Sequence, residues 1–92
     1  MISERLRAQY IQRRGEDLQT CKGALEQGDY ETIRKVAHRL KGNGTTFGYP
    51  EITELGERME DAARATNLAE TRASLETLAK WIEAHGSAGV SG

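Results

Sequence analysis

Ninety-two residues make one small domain, with no room for a second core. Apolar residues are 37% of the chain and charged residues 29%, the balance of a soluble globular fold with solvated faces. A net charge of −1 leaves no basic excess, so neither a nucleic acid nor a membrane surface is an expected partner.

Apolar residues recur at three-four spacing along the whole chain and never at period two, which predicts an all-α protein. The first segment, about Ser3 to Gln27, has its apolar seam at Leu6, Tyr10 or Ile11, Leu18, Cys21 and Leu25. Gly15 lies among Arg13, Arg14 and Glu16, and the pattern leaves open one bent helix or two. Gly28 reads as a stop and Asp29 as the N-cap of a second helix, about Asp29 to Thr46. That helix carries Ile33, Ala37, Leu40, Gly44 and Phe47 on a heptad-like seam. Gly48-Tyr49-Pro50 marks a turn, with Pro50 suited to the first position of a third helix ending near Thr66. Ile52, Leu55, Met59 and Ala62 line its inner face. Asn67 interrupts the pattern, and a last helix, about Leu68 to Ala84, presents Leu68, Leu75, Leu78 and Ile82 with Trp81 beside them. Helices of this length with short connections pack as an antiparallel four-helix bundle, with an extra short or kinked helix at the N-terminus if Gly15 breaks the first. Residues 1–85 form the domain, and residues 86–92, GSAGVSG, read as a flexible tail.

The segment Ala37-His38-Arg39-Leu40-Lys41-Gly42 places one of two histidines in the middle of the second helix. At roughly 100° per residue, His38 lies roughly 140° from the mean direction of the seam. Arg34 and Thr45 fall close to it on the wheel, Lys41 and Lys35 flank it, and Gly42 lies one turn along. Arg39 projects to the other side. A glycine inside a helix costs about 1 kcal/mol relative to alanine, which calls for a packing or an access reason. A neutral imidazole is a competent nucleophile near neutral pH, nearby cations counter the charge of a bound phosphoryl group, and Gly42 removes bulk beside it. That geometry suits a covalent phosphoryl carrier.

His38-Arg39-Leu40-Lys41-Gly42, with Phe47-Gly48 following and Gly48 ten residues after the histidine, resembles the signature of histidine phosphotransfer (HPt) domains. Gly28-Asp29 before the histidine helix, Pro50-Glu51 opening the next and an amphipathic final helix extend the similarity over most of the chain. The resemblance implies that His38 is phosphorylated on Nε2 and exchanges the group with an aspartate on a response-regulator receiver domain. It implies that Lys41 steadies the phosphoryl group, that Gly42 admits the receiver, and that a sensor histidine kinase stands upstream. Arg34, Lys35 and Thr45 complete the expected site. The family's places after the glycine commonly hold a small or hydroxyl residue and then alanine; here they hold Asn43 and Gly44. The family binds no ATP and needs no cofactor of its own, Mg²⁺ being expected in the receiver, and this sequence has no Gly-rich nucleotide loop. The expected protein is a monomeric phosphorelay intermediate rather than an enzyme.

The remaining residues invite plainer readings. His85 is expected to bond carbonyls at a helix end, and Cys21 to fill the core. Glu54, Glu57, Glu60 and Asp61 are read as a solvated face, because no Glu-x-x-His pair exists to build a metal site. A single cysteine excludes an intrachain disulfide and fits a reducing compartment. With no secretory pattern and no long apolar run, a cytoplasmic location without membrane association is expected. Two alternatives stand beside the relay: a phosphoacceptor domain cut from a larger hybrid or chemotaxis-type kinase, and a receiver-binding helical module that accepts no phosphate.

Overall fold

The computed structural model describes residues 3–90. They form four helices: α1 (Glu4–Glu26), α2 (Tyr30–Asn43), α3 (Pro50–Arg64) and α4 (Leu68–Val90), with one 3₁₀ turn (Thr45–Phe47) between α2 and α3. Helix α1 packs on α2 and α4, and α3 on α2 and α4, closing the expected antiparallel bundle. The core joins Leu18 and Cys21 of α1 with Ile33, Val36 and Leu40 of α2, Ile52, Leu55 and Met59 of α3, and Leu75 and Leu78 of α4. Burial pushes the Cys21 thiol up to about 12, with Asp17 adding to the shift, so this cysteine stays protonated as a core residue.

Local chemistry starts the helices where the sequence marks them. The Ser3 hydroxyl accepts from the Leu6 amide at 3.2 Å to open α1. Asp29 accepts from the Thr32 amide at 3.1 Å and from its hydroxyl at 2.6 Å to open α2. Pro50 occupies the first turn of α3, and the Asn67 side chain accepts from the Glu70 amide at 3.0 Å to open α4. Gly48 has φ of 87°, a left-handed conformation that favours glycine, and so turns the chain into α3.

The alternative left open for the first segment resolves as one helix: α1 is continuous through Gly15, with Arg14 and Asp17 buried on its inner side as an ion pair at 3.0 Å and the Arg14 guanidinium 4.3 Å from the centre of the Tyr10 ring. Other expectations are corrected. Helix α2 ends at Asn43 rather than Thr46. Gly44 abuts Thr53 and the Tyr49 carbonyl so closely that any side chain would collide. Helix α4 runs on to Val90, past Ala84, since the loss of bulky residues ended the apolar pattern without ending the helix. The expected tail therefore begins as helix at 86–90, and its last residues, 91–92, lie outside the described residues. Leu6 and Leu68, expected on seams, are each 45% exposed near helix ends.

One end of the bundle holds an aromatic cluster. Tyr10 stacks on Phe47 at 4.4 Å, Trp81 stacks on His85 at 4.3 Å, and Tyr49 meets Trp81 edge-on at 5.0 Å. The Trp81 indole donates to Glu51 at 2.9 Å, and the hydrogen bond holds the Glu51 carboxyl below its usual range. His85 Nδ1 lies 2.8 Å from the Trp81 carbonyl, which is a mid-helix carbonyl because α4 continues.

A single buried hydroxyl among the described residues, Thr71 Oγ1, has no hydrogen-bond partner. Thr71→Val replaces it with a methyl of similar shape. Removing an unpaired buried polar group is expected to stabilise the fold by about 1 kcal/mol. In thermal denaturation that appears as a Tm higher by about 4–8 °C. An unchanged or lower Tm would show that the hydroxyl is satisfied in solution.

Candidate functional site

The buried stripe of α2 is Ile33, Val36, Ala37 and Leu40. His38 therefore turns outward, and its side chain is 70% exposed. Its ring is nevertheless fixed, because Nδ1 lies 3.0 Å from Oε2 of Glu60 on α3. The Glu60 side chain is only 5% exposed and gathers two cations besides: Lys41 Nζ at 3.5 Å from Oε1, and an Arg64 guanidinium nitrogen at 3.5 Å from Oε2. Burial raises the Glu60 carboxyl, but the His38 hydrogen bond and the Lys41 charge outweigh it and hold the group below the usual carboxylate range. An ionised carboxylate can only accept, so Nδ1 carries the proton and donates it to Glu60. In the neutral ring that leaves the lone pair on Nε2, at the exposed edge, where a partner can reach it.

Glu60 reaches His38 because α2 and α3 touch at Gly56. A side chain placed there would lie 2.8 Å from the Ala37 carbonyl oxygen and closer still to the Lys41 amide nitrogen. Ile52, Gly56 and Glu60 are spaced four apart on the face of α3 turned to α2. The glycine brings the backbones together, and the carboxylate one turn later arrives under the histidine.

The other expected site residues divide. Lys41 shares Glu60 with His38. Gly42 is exposed, and a side chain there would meet nothing within 4 Å, so packing within the chain does not explain it. Arg34 turns back onto Glu31 at 2.5 Å, and a groove at His38 is lined by Thr20, Thr32, Arg34, Lys35 and Arg39. Thr45 stands in the 3₁₀ turn that follows α2. The expected helix ran three residues beyond the observed end of α2, and the Thr45 amide and hydroxyl pair with the Thr53 hydroxyl at 2.9 and 3.1 Å. Asn43 faces α1, where its side chain accepts from the Tyr10 hydroxyl at 2.8 Å. Arg39 reaches Asp17 of α1 at 3.4 Å, on the side away from the Glu60 cluster.

Glu60 was assigned to a solvated face and is instead buried, because its charge is matched by groups from another helix. Gly56, four residues earlier, was the available signal. Arg64 was also not anticipated. Glu54, Glu57 and Asp61 are exposed as expected. Lys41→Ala is expected to slow phosphoryl transfer about three- to tenfold, the effect of losing one charge-assisted contact discounted for exposure. Arg39→Ala should change it little, because Arg39 turns to Asp17 of α1, away from the Glu60 cluster. Equal rate losses in a transfer assay would contradict this division.

Comparison with known proteins identifies the family. The model of the Hpt domain family matches residues 5–88. The sensory/regulatory protein RpfC from each of two strains of Xanthomonas campestris pv. campestris is 28% identical over 87 residues, 90% of this chain. The chain spans 12% of the length of these relatives. No solved structure matches it. Among the described residues no helix is long and apolar enough to cross a membrane. With the family model covering nearly all of the four helices and the outward histidine between them, the chain belongs to the Hpt domain family and has a phosphotransfer role in phosphorelay signalling.

Proposed function

We propose that His38 is the phosphoacceptor and that this domain takes the phosphoryl group on Nε2 from a phospho-aspartate of a receiver domain, or from a histidine kinase, and passes it to a receiver aspartate. The observation that carries this reading is the hydrogen bond from His38 Nδ1 to the buried Glu60 carboxylate, which leaves Nε2 as the free nucleophile on an exposed ring. In the forward step the Nε2 lone pair forms the P–N bond and the acyl-phosphate P–O bond breaks, its electron pair leaving on the receiver carboxylate. Nδ1 keeps its proton, so the ring becomes cationic and Glu60 is already in place to stabilise that charge. The domain brings a nucleophile, its orientation and cations. Mg²⁺ and the remaining charge stabilisation belong to the receiver, and ATP has no part in this step.

Gly42 gives the receiver close access beside His38, and Lys41 steadies the transferred group. The domain acts as a monomeric phosphocarrier in the cytoplasm, residues 1–85 forming its functional unit. A phosphorylated receiver with Mg²⁺ should label this chain with an acid-labile, base-stable phosphate, and His38→Gln should abolish the label while preserving helicity. Label retained by that variant would refute the assignment. The 12% coverage of the RpfC relatives favours a second reading, in which the same site serves inside a larger sensory protein. Labelling by an isolated kinase core in preference to any receiver would support that arrangement.

A further inference from the structure

We propose that Arg64 is a second phosphoryl-holding cation, supplied by α3 and resting on Glu60 until Nε2 is phosphorylated. This rests on the reading of His38 as the acceptor. One carboxylate is shared by the His38 ring, Lys41 and Arg64. Both cations approach it at 3.5 Å, longer than a tight charge-assisted bond, and their side chains are 44% and 61% exposed. They are loosely held. The second amino nitrogen of Arg64 lies 3.8 Å from Asp61, itself 70% exposed. Of the other arginines near His38, Arg34 is held by Glu31 through two nitrogens, and Arg39 is turned to Asp17 of α1 instead of to Glu60.

Phosphorylation changes what Glu60 must balance. When the P–N bond forms and Nδ1 retains its proton, the ring itself becomes the cation against the carboxylate. Lys41 and Arg64 are then in surplus beside a group carrying close to two negative charges. Lys41 meets one carboxylate oxygen and Arg64 the other, so the two cations approach from different helices. The planar guanidinium presents a fixed fork that matches two phosphoryl oxygens, whereas an ammonium acts as a point charge on a flexible stem. Arg64 thus exchanges a carboxylate for a phosphoryl group without leaving its place on α3.

The test follows the Arg64 Nε–H resonance by ¹H–¹⁵N NMR before and after phosphorylation with phosphoramidate, a small donor that releases ammonia and needs no docking surface. A marked shift in wild type and none in His38→Gln is the expected result. In parallel, the equilibrium between phosphorylated domain and phosphorylated receiver is measured, a ratio set by the free species and not by docking. Arg64→Ala should lower it about three- to tenfold, Arg64→Lys should restore part of the loss, and Arg72→Ala on α4 should leave it unchanged. An Arg64 resonance that does not move, or an Arg64→Ala protein with lower Tm and an unaltered equilibrium, would reduce Arg64 to a structural partner of Glu60. If wild type is not phosphorylated at His38 at all, the reading of the site fails instead.

Discussion

Glu60→Ala is expected to slow phosphoryl transfer to His38 about thirtyfold, the worth of roughly 2 kcal/mol for a hydrogen bond to a charged group. Two contributions are lost together. The ring loses the acceptor that keeps the proton on Nδ1, and the cationic phospho-imidazole loses its counter-charge. Glu60→Gln separates them, because the amide oxygen can still accept from Nδ1 while the charge is gone. Its rate should lie between those of Glu60→Ala and wild type. Stopped-flow transfer at saturating receiver should show the change in the maximal rate, with half-saturation little altered. A Glu60→Ala protein that transfers at the wild-type rate would remove the carboxylate from the account. The pH dependence has a definite sign. The folded Glu60 carboxyl sits below its ordinary value of 4.5, so its contribution to stability is present above that value and is lost as pH falls through the lowered folded value. At neutral pH the carboxylate is fully ionised.

Gly56→Val is expected to be the most damaging substitution outside the histidine itself. The new side chain would have to occupy space now held by the backbone of Ala37 and Lys41, so α2 and α3 must separate. Overpacking against rigid backbone should cost about 3 kcal/mol or more, lowering Tm by about 12 °C or more. Transfer should fall as well, since separation moves Glu60 off His38. Gly42→Ala makes the contrast. Nothing stands within 4 Å of a side chain there, so the helix should gain up to about 1 kcal/mol from alanine's propensity. Its transfer from a receiver should nonetheless weaken under the proposed role of Gly42 in giving the receiver close access. Thermal melts and transfer assays on both variants check the pair. A Gly56→Val protein as stable as wild type, or a Gly42→Ala protein with unimpaired transfer, would count against the respective role.

These two glycines also show how far the sequence could be read. Gly28, Asp29, Pro50 and Asn67 act through neighbouring backbone groups, so the helix boundaries they set were legible at once. The direction of His38 was legible too, because one helix's apolar stripe fixes where its other residues point. What lay beyond reach depended on a second helix. Glu60 reads as a surface charge until α3 is laid against α2, and Gly15 among Arg13, Arg14 and Glu16 leaves a break in α1 open until Arg14 is paired with Asp17 on the inner side. The place of Thr45 was hidden for a different reason: a wheel assumes the helix continues, and α2 ends at Asn43, where Gly44 abuts Thr53 and the Tyr49 carbonyl. An unexplained glycine at Gly56, one turn before an acidic residue on an inward face, was the sign of a close helix crossing with a charge beneath it.

The central claim is that Glu60 holds the Nδ1 proton of His38 and thereby directs phosphorylation to Nε2. The most direct measurement is ¹⁵N-edited NMR of the His38 ring in the phosphorylated protein, which distinguishes the two nitrogens by their shifts and by coupling to phosphorus. Phosphorus bonded to Nε2, with a proton retained on Nδ1, is the predicted result. Phosphorus on Nδ1, or on any residue other than His38, would contradict it.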